Sequence, residues 1–206
     1  LIFDGADITC DVAPAVIFVN VYECDKDAST ETATWDVDTG AAGANVIIAD
    51  GSVNNISGSH IARIYKDDDQ KKKLVKQDGA FYSCMSMNID GSDKGDGVLN
   101  INADNEGLDS EMHLTINGGI INIFSQDDGI NTNEDEISVT TINGGEIHII
   151  SGLGEEGDGV DSNGNLYING GTISVNAQSP FDYDGVAQHN GGTIIVNGTE
   201  TDEITN

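Results

Sequence analysis

The sequence predicts an all-β chain wound as a right-handed, single-stranded parallel β-helix, a solenoid of about six or seven coils. Two recurring phrases carry this prediction. The first is Ile-Asn-Gly-Gly, at Ile116–Gly119, Ile142–Gly145 and Ile168–Gly171, with a worn copy at His189–Gly192. Its first Gly falls at 118, 144, 170 and 191, so the steps are 26, 26 and 21 residues. The second phrase follows it: Glu106-Gly107-Leu108, Asp128-Gly129-Ile130, Asp158-Gly159-Val160 and Asp184-Gly185-Val186. A unit of this length cannot bury its apolar face alone, and stacking on its neighbours is the physical solution.

Each element of a coil follows from its residues. After every Gly pair comes a strict alternation, Ile121 and Ile123, Ile147 and Ile149, Ile173 and Val175, Ile194 and Val196. β-Branched residues with period two make a half-buried strand, and mostly polar residues lie between them (Asn122, His148, Ser174). A shorter strand ends in Ile116, Ile142 or Ile168, and a third begins after Asp-Gly at Ile130, Val160 or Val186.

Worn copies precede these. Phe3-Asp4-Gly5, Ala49-Asp50-Gly51 and Ile89-Asp90-Gly91 fit the Asn-Gly column, and the Pro14–Val19 run pairs in kind with Ala80–Ser83. Inserts at about 25–44 and 58–79 read as outer loops on one domain spanning 1–206. The first holds the only Trp, Trp35; the second holds Arg63 and five of the seven Lys. The rival is an antiparallel fold, because Asn-Gly favours two-residue hairpins. Hairpins do not require a second marker at fixed phase, whereas stacked coils do.

The chain carries 36 acidic and 8 basic residues, a formal charge of -28. Nucleic acid and insertion into anionic membranes are excluded by sign, which leaves cations and neutral ligands. No apolar run approaches the ~18 residues of a membrane span. The first residue is Leu1 and not Met, so a signal peptide is either cleaved or outside this sequence. Cys10, Cys24 and Cys84 allow either three buried thiols or one bridge; coil alignment brings Cys24 near Cys84, with Cys10 the other partner. Asn55-Ile56-Ser57 and Asn197-Gly198-Thr199 are glycosylation sequons. With the acidity and the many turns they point to an extracellular or cell-surface protein.

Coils lie ~4.8 Å apart, so residues of one column are stacked. Glu106, Asp128, Asp158 and Asp184 then form one file, with Asp109, Asn131 and Asp161 three positions on. Ionised carboxylates at that spacing repel by about 3–4 kcal/mol at an effective dielectric near 20. Further acids crowd the turns: Asp127, Glu134, Asp135, Glu136, Glu155, Glu156 and Asp182. Clustered hard oxygen ligands beside Gly turns suit Ca²⁺, with Asp127, Asp128, Asp158, Asp161, Asp184, Glu155, Glu156 and Asp135 as candidate ligands. The alternative is that the Asp side chains accept hydrogen bonds from their own turns, and both roles are compatible at one residue.

Catalytic motifs are mostly absent. His60, His113, His148 and His189 are scattered, and the Lys71-Lys72-Lys73 run amid Asp67-Asp68-Asp69 reads as a solvated loop. For sugar binding the aromatic candidates are Trp35, Tyr167, Phe181 and Tyr183, while Phe18, Phe81 and Phe124 are assigned to the core. The outward ladder Asn122, His148, Ser174 supplies polar contacts.

The phrase running from Ile116 to Ile130, together with Pro14–Asn20, Ala49–Ser52 and Ala80–Ser83 in that order, resembles a known family. This is the calcium-containing, carbohydrate-binding β-helix proteins first characterised in cellulolytic clostridia, whose fold is like that of pectate lyases. The resemblance covers nearly the whole chain and implies a secreted or surface-attached binder of cellulose-like or acidic polysaccharide, without established catalysis. It carries calcium over to Asp128, Asp158, Asp184 and the neighbouring turn acids. The chain departs from the pattern in its acidity, the Trp35 insert and its three Cys, and its last coil, clipped at Asn206, leaves an open end. The functional expectation is a calcium-stabilised, non-catalytic polysaccharide-binding module. The alternatives are a subunit of an extracellular fibre or surface layer, self-associating through the solenoid ends, and a pectin-active lyase.

Overall fold

Alternating Ile and Val give every repeat one apolar edge, and Gly pairs let the chain bend before the next strand. The computed structural model describes residues 1–23, 39–61, 65–66, 68–69, 76–152 and 157–206. Among these, the strands form three sheets of seven, eight and six strands. Apart from one antiparallel pair at the end of the second sheet, neighbouring strands run parallel and come from successive windings, as Leu114–Ile116 with Val139–Ile142 and Ile120–Ser125 with Glu146–Ile150 show. One winding passes from Leu114–Ile116 in the first sheet to Ile120–Ser125 in the second and Ile130–Thr132 in the third. The next passes from Val139–Ile142 to Glu146–Ile150 to Asp158–Ser162. The protein is an all-β solenoid of parallel sheets.

Like side chains therefore meet across windings. Ile147 pairs with Ile121 on one side and Ile173 on the other, and all three are buried. The first sheet stacks Ile89, Ile116, Ile142 and Ile168; the third stacks Val16, Phe81, Leu108, Ile130, Val160 and Phe181. These files merge into one apolar core from Phe3 to Ile194. Each fully buried side chain of this type contributes ~1.5–3 kcal/mol.

The Asn of each repeat forms a ladder at the first bend. Asn117 Nδ2 donates to Asp90 Oδ1 (2.8 Å), Asn143 to Asn117 (2.9 Å), Asn169 to Asn143 (2.9 Å) and Asn190 to Asn169 (2.8 Å). The second Gly of the pair is required there for two reasons. At Gly145 φ is +92°, and a Cβ would stand 2.7 Å from the carbonyl oxygen of Gly119 in the winding beside it. Gly198 has a similar φ of +81° with nothing within 4 Å. We expect Gly198→Ala to cost about 1–2 kcal/mol of backbone strain. Gly145→Ala should cost clearly more, with a melting temperature lower by a further ~4 °C or beyond. Equal melting temperatures for the two variants would refute the close approach of windings.

The structure corrects four expectations. Asp158 pairs with Ser179, so Asp184 is absent from the acidic file. The reason is that seven residues separate the strands Glu146–Ile150 and Asp158–Ser162, whereas in the next winding only Ala177 and Gln178 separate Thr172–Asn176 and Ser179–Tyr183. Phe181, not Val186, follows Val160 inward and is 1% exposed, while Val186 is exposed. Phe124, assigned to the core, points outward and is 42% exposed, because its neighbours Ile121 and Ile123 take the inward positions. The second sheet does not end open: Thr199–Thr201 folds back antiparallel on Thr193–Val196. There Asn197-Gly198 makes a hairpin turn, with φ +49° and +81°, as an Asn-Gly pair favours.

Candidate functional site

The outer face of the second sheet is built by the polar residues between the buried Ile positions. Three adjacent strands, Val53–Gly58, Val98–Ala103 and Ile120–Ser125, place Asn55, Asn100 and Asn122 in one file. The next file is Ser57, Asn102, Phe124 and Ile150. The two files line a groove of about 440 Å³ that His148 also borders. Asn100 Nδ2 donates to Asn55 Oδ1 (2.9 Å), and Asn122 Nδ2 donates to Asn100 Oδ1 (2.8 Å). Each amide in this row uses one donor and one acceptor at most on its neighbours, which leaves others for a ligand.

The electrostatics of this face are unlike those of the rest of the chain. Its outward residues on those three strands are Val53, Asn55, Ser57, Val98, Asn100, Asn102, Ile120, Asn122 and Phe124, none of them charged. Carboxylates flank it one strand away on both sides, Asp7 beside Asn55 and Glu146 beside Ile120, where His148 Nε2 lies 2.9 Å from Glu146 Oε1. An uncharged groove holding amides and an exposed aromatic ring presents hydrogen-bonding groups and an apolar face together. Hydroxyl-rich, uncharged molecules need that combination.

The outer face of the third sheet is the opposite in character. One file runs Gly79, Glu106, Asp128, Asp158, Ser179 and a second Tyr82, Asp109, Asn131, Asp161, Asp182. Several of these acids are buried, and burial is the main reason their carboxyls stay protonated to unusually high pH. It pushes Asp109 up to about 7, with the Glu111 charge adding to it, and Asp128 up to about 8. Asp161 rises to about 7, through burial and then the charge of Asp158, and Glu106 is raised well above the carboxylate range. Asn131 Nδ2 donates to Glu106 Oε1 (3.1 Å), and Asn133 Nδ2 donates to Asp109 Oδ1. Glu106 Oε2 and Asn131 Oδ1 are buried acceptors that lack a hydrogen-bond partner. Among the described residues, no three His, Cys, Asp or Glu side chains gather closely enough to enclose a metal ion.

The predicted site residues are placed as follows. Asp128 Oδ1 accepts the backbone N–H of Asp158 (2.7 Å) in the next winding, so it links two windings and does not cap its own turn. Asp135 is exposed and accepts from Asn163 Nδ2 (2.9 Å); Asp127, Asp158 and Asp161 are half-buried, and Asp184 is exposed. Tyr167 lies half-buried on the outer face of the first sheet, its hydroxyl accepting from Asn165 Nδ2 (2.9 Å). Tyr183 packs against the core, and Phe181 within the core has no face to offer a sugar. Asn55 belongs to the amide row, and Asn197 Nδ2 donates to the Ala177 carbonyl (3.1 Å). Among the described residues Cys10 and Cys84 are free thiols. Trp35, Glu155, Glu156 and Cys24 lie outside the described residues.

Sequence reasoning missed two features. Phe124 and Ile150 follow directly from the period of two, once Ile123 and Ile149 are inward. Lys76, at the end of the second insert, reaches the acidic face, donating to Asn133 Oδ1 (3.1 Å) and lying 3.8 Å from Glu111 Oε2. Nothing local in the sequence signals that contact.

A groove of amide side chains and one exposed aromatic ring, laid across a stack of parallel strands, is carried by a protein of the solenoid class. The family of carbohydrate-binding domain-containing proteins matches residues 1–205, and the chain belongs to that family. Its membership points to a carbohydrate-binding, non-catalytic role with polysaccharide as the partner. No curated protein and no solved structure gives a significant match. No helix among the described residues is long and apolar enough to cross a membrane.

Proposed function

We propose that the chain is an extracellular or cell-surface module that binds neutral, cellulose-like polysaccharide in the groove of the second sheet. The reading treats 1–206 as one domain, a right-handed β-helix of about six or seven coils. The observation that carries it is the uncharged groove with Phe124 exposed on a chain of net charge -28. Acidic polysaccharide would meet like charge over the rest of the surface, whereas a neutral chain meets none in the groove. The glycan's hydroxyls bond to Asn55, Asn100 and Asn122, and the apolar face of one sugar stacks on Phe124.

Calcium is the proposed structural ion of the third sheet. Glu106 and Asn131 each bring a buried oxygen that lacks a partner, Asp109 lies in the file of Asn131, and hard oxygen donors of this kind suit Ca²⁺. These residues would hold the ion, which would neutralise buried carboxylates there. The fit is one of donor chemistry.

The test of the groove is Phe124→Ala in affinity electrophoresis and cellulose pull-down at fixed calcium. The expected result is at least tenfold weaker binding, ~1.4 kcal/mol, at unchanged melting temperature. Full retention of binding by the variant, or tighter binding of polygalacturonate than of neutral β-glucan by the wild type, would overturn the reading.

A further inference from the structure

A second cavity lies on a different sheet from the groove. The 3₁₀ turn Thr39–Ala41 stands over the outer face of the first sheet and closes a notch of about 180 Å³ against it. Thr115 and Thr141, neighbours in register, form its floor, and Asn117 with Asn143 forms one wall.

Both walls are fixed by hydrogen bonds. Thr39 Oγ1 donates to Thr115 Oγ1 (2.6 Å), and Asn88 Nδ2 donates to the Thr39 carbonyl (2.6 Å). Across the notch, Asn143 Nδ2 donates to Asn117 Oδ1 (2.9 Å), and Asn117 Nδ2 donates to Asp90 Oδ1 (2.8 Å). Asn88 is 3% exposed, and its Oδ1 has no hydrogen-bond partner. A buried acceptor in that condition costs free energy until a donor arrives.

The notch therefore selects its occupant by chemistry. Among the described residues its lining is hydroxyls, amides and backbone, with no charged side chain, which suits an uncharged, hydroxyl-rich occupant. At about 180 Å³ it is less than half the size of the groove, which suits a single small ring. The next winding carries Tyr167 in the file of Asn88, Thr115 and Thr141, one strand spacing from Thr141. An aromatic side chain at that position offers the apolar surface on which a pyranose stacks.

We infer that this notch, together with Tyr167, is a second carbohydrate site that takes a single neutral pyranose, free or at a chain end. Because it lies on the first sheet and the groove on the second, one molecule holds two glycans at once. The inference does not depend on the groove reading.

The test is NMR titration of the ¹⁵N-labelled protein with the methyl β-pyranosides of glucose, galactose and xylose, up to tens of millimolar. The expected result is saturable shifts at the Gly40, Thr115 and Thr141 amides with at least one of the three. The shifts persist in Phe124→Ala, disappear in Thr141→Leu, which fills the notch, and need several-fold more sugar in Tyr167→Ala. Absence of saturable shifts at these amides with all three sugars would overturn the inference, as would unchanged shifts in Thr141→Leu. Should Thr141→Leu not fold, an unchanged midpoint in Tyr167→Ala overturns it as well. Failure of the groove reading looks different: Phe124→Ala then keeps its affinity for polysaccharide while the notch shifts remain.

Discussion

Replacing Ile147 with Asp is expected to abolish folding. Ile147 is fully buried between Ile121 and Ile173 in the middle of the second sheet. The change loses ~1.5–3 kcal/mol of burial and adds several kcal/mol for an ionised carboxylate that has no partner. Against a total stability of about 5–15 kcal/mol, that is decisive. Its position makes matters worse, since each winding of a solenoid contacts only its neighbours and a broken central winding separates the two halves. Ile147→Ala is the milder control and should cost about 2–5 kcal/mol while leaving the protein folded. At roughly 2–4 °C per kcal/mol, it melts between about 4 and 20 °C lower. Circular dichroism and thermal melting read both. A soluble Ile147→Asp variant with a normal melt would show that these residues do not form a stacked core.

The second large effect is an inverted dependence of stability on pH. In the folded chain Asp109 and Asp161 hold their protons up to about pH 7 and Asp128 up to about 8, mainly because burial disfavours the charged form. In the unfolded chain the same groups lose them near pH 4. Between these limits the folded state binds more protons than the unfolded one, so the free energy of unfolding falls as pH rises. Stability from these groups is full below about pH 4 and is lost as pH passes through 7 to 8. Self-repulsion of a chain with 36 acids acts in the same direction as they ionise. With metal chelated, the melting temperature should drop by at least ~4–8 °C between pH 4.5 and 8, the equivalent of about 2 kcal/mol. Calcium added at pH 8 should recover most of that loss, since an ion bound only by the folded state stabilises it. A melting temperature that rises with pH in chelator would refute the buried acids. No response to calcium at pH 8 would remove calcium from the third sheet.

Much of this architecture was legible before any coordinates. The Ile columns at 121, 147 and 173 and the Asn ladder at 117, 143 and 169 sit in the register that the 26-residue step implies. The acidic file was legible for Glu106, Asp128 and Asp158, and failed at Asp184. There two phrases competed for one position, and Asp184-Gly185-Val186 looked the better match. Phe181 took the place because the preceding bend is five residues shorter than before, and core volume decides which residue turns inward. Phe124 differs for another reason: the period of two turns it outward beside the buried Ile123, whatever its hydrophobicity.

Sequence alone determined the local periodicities: which residues alternate, where Gly allows a bend, and that the windings stack. These are properties of short segments and repeat at fixed spacing. Only the tertiary structure decided what the outer faces became. The neutral groove joins Asn55, Asn100 and Asn122 from three windings, and Lys76 meets Glu111 across the length of an insert. Burial, and with it the protonation of Asp109 and Asp128, depends on everything packed around a carboxyl and not on its neighbours in the chain. Such properties arise from summed contacts between distant segments, and no single stretch of sequence contains them.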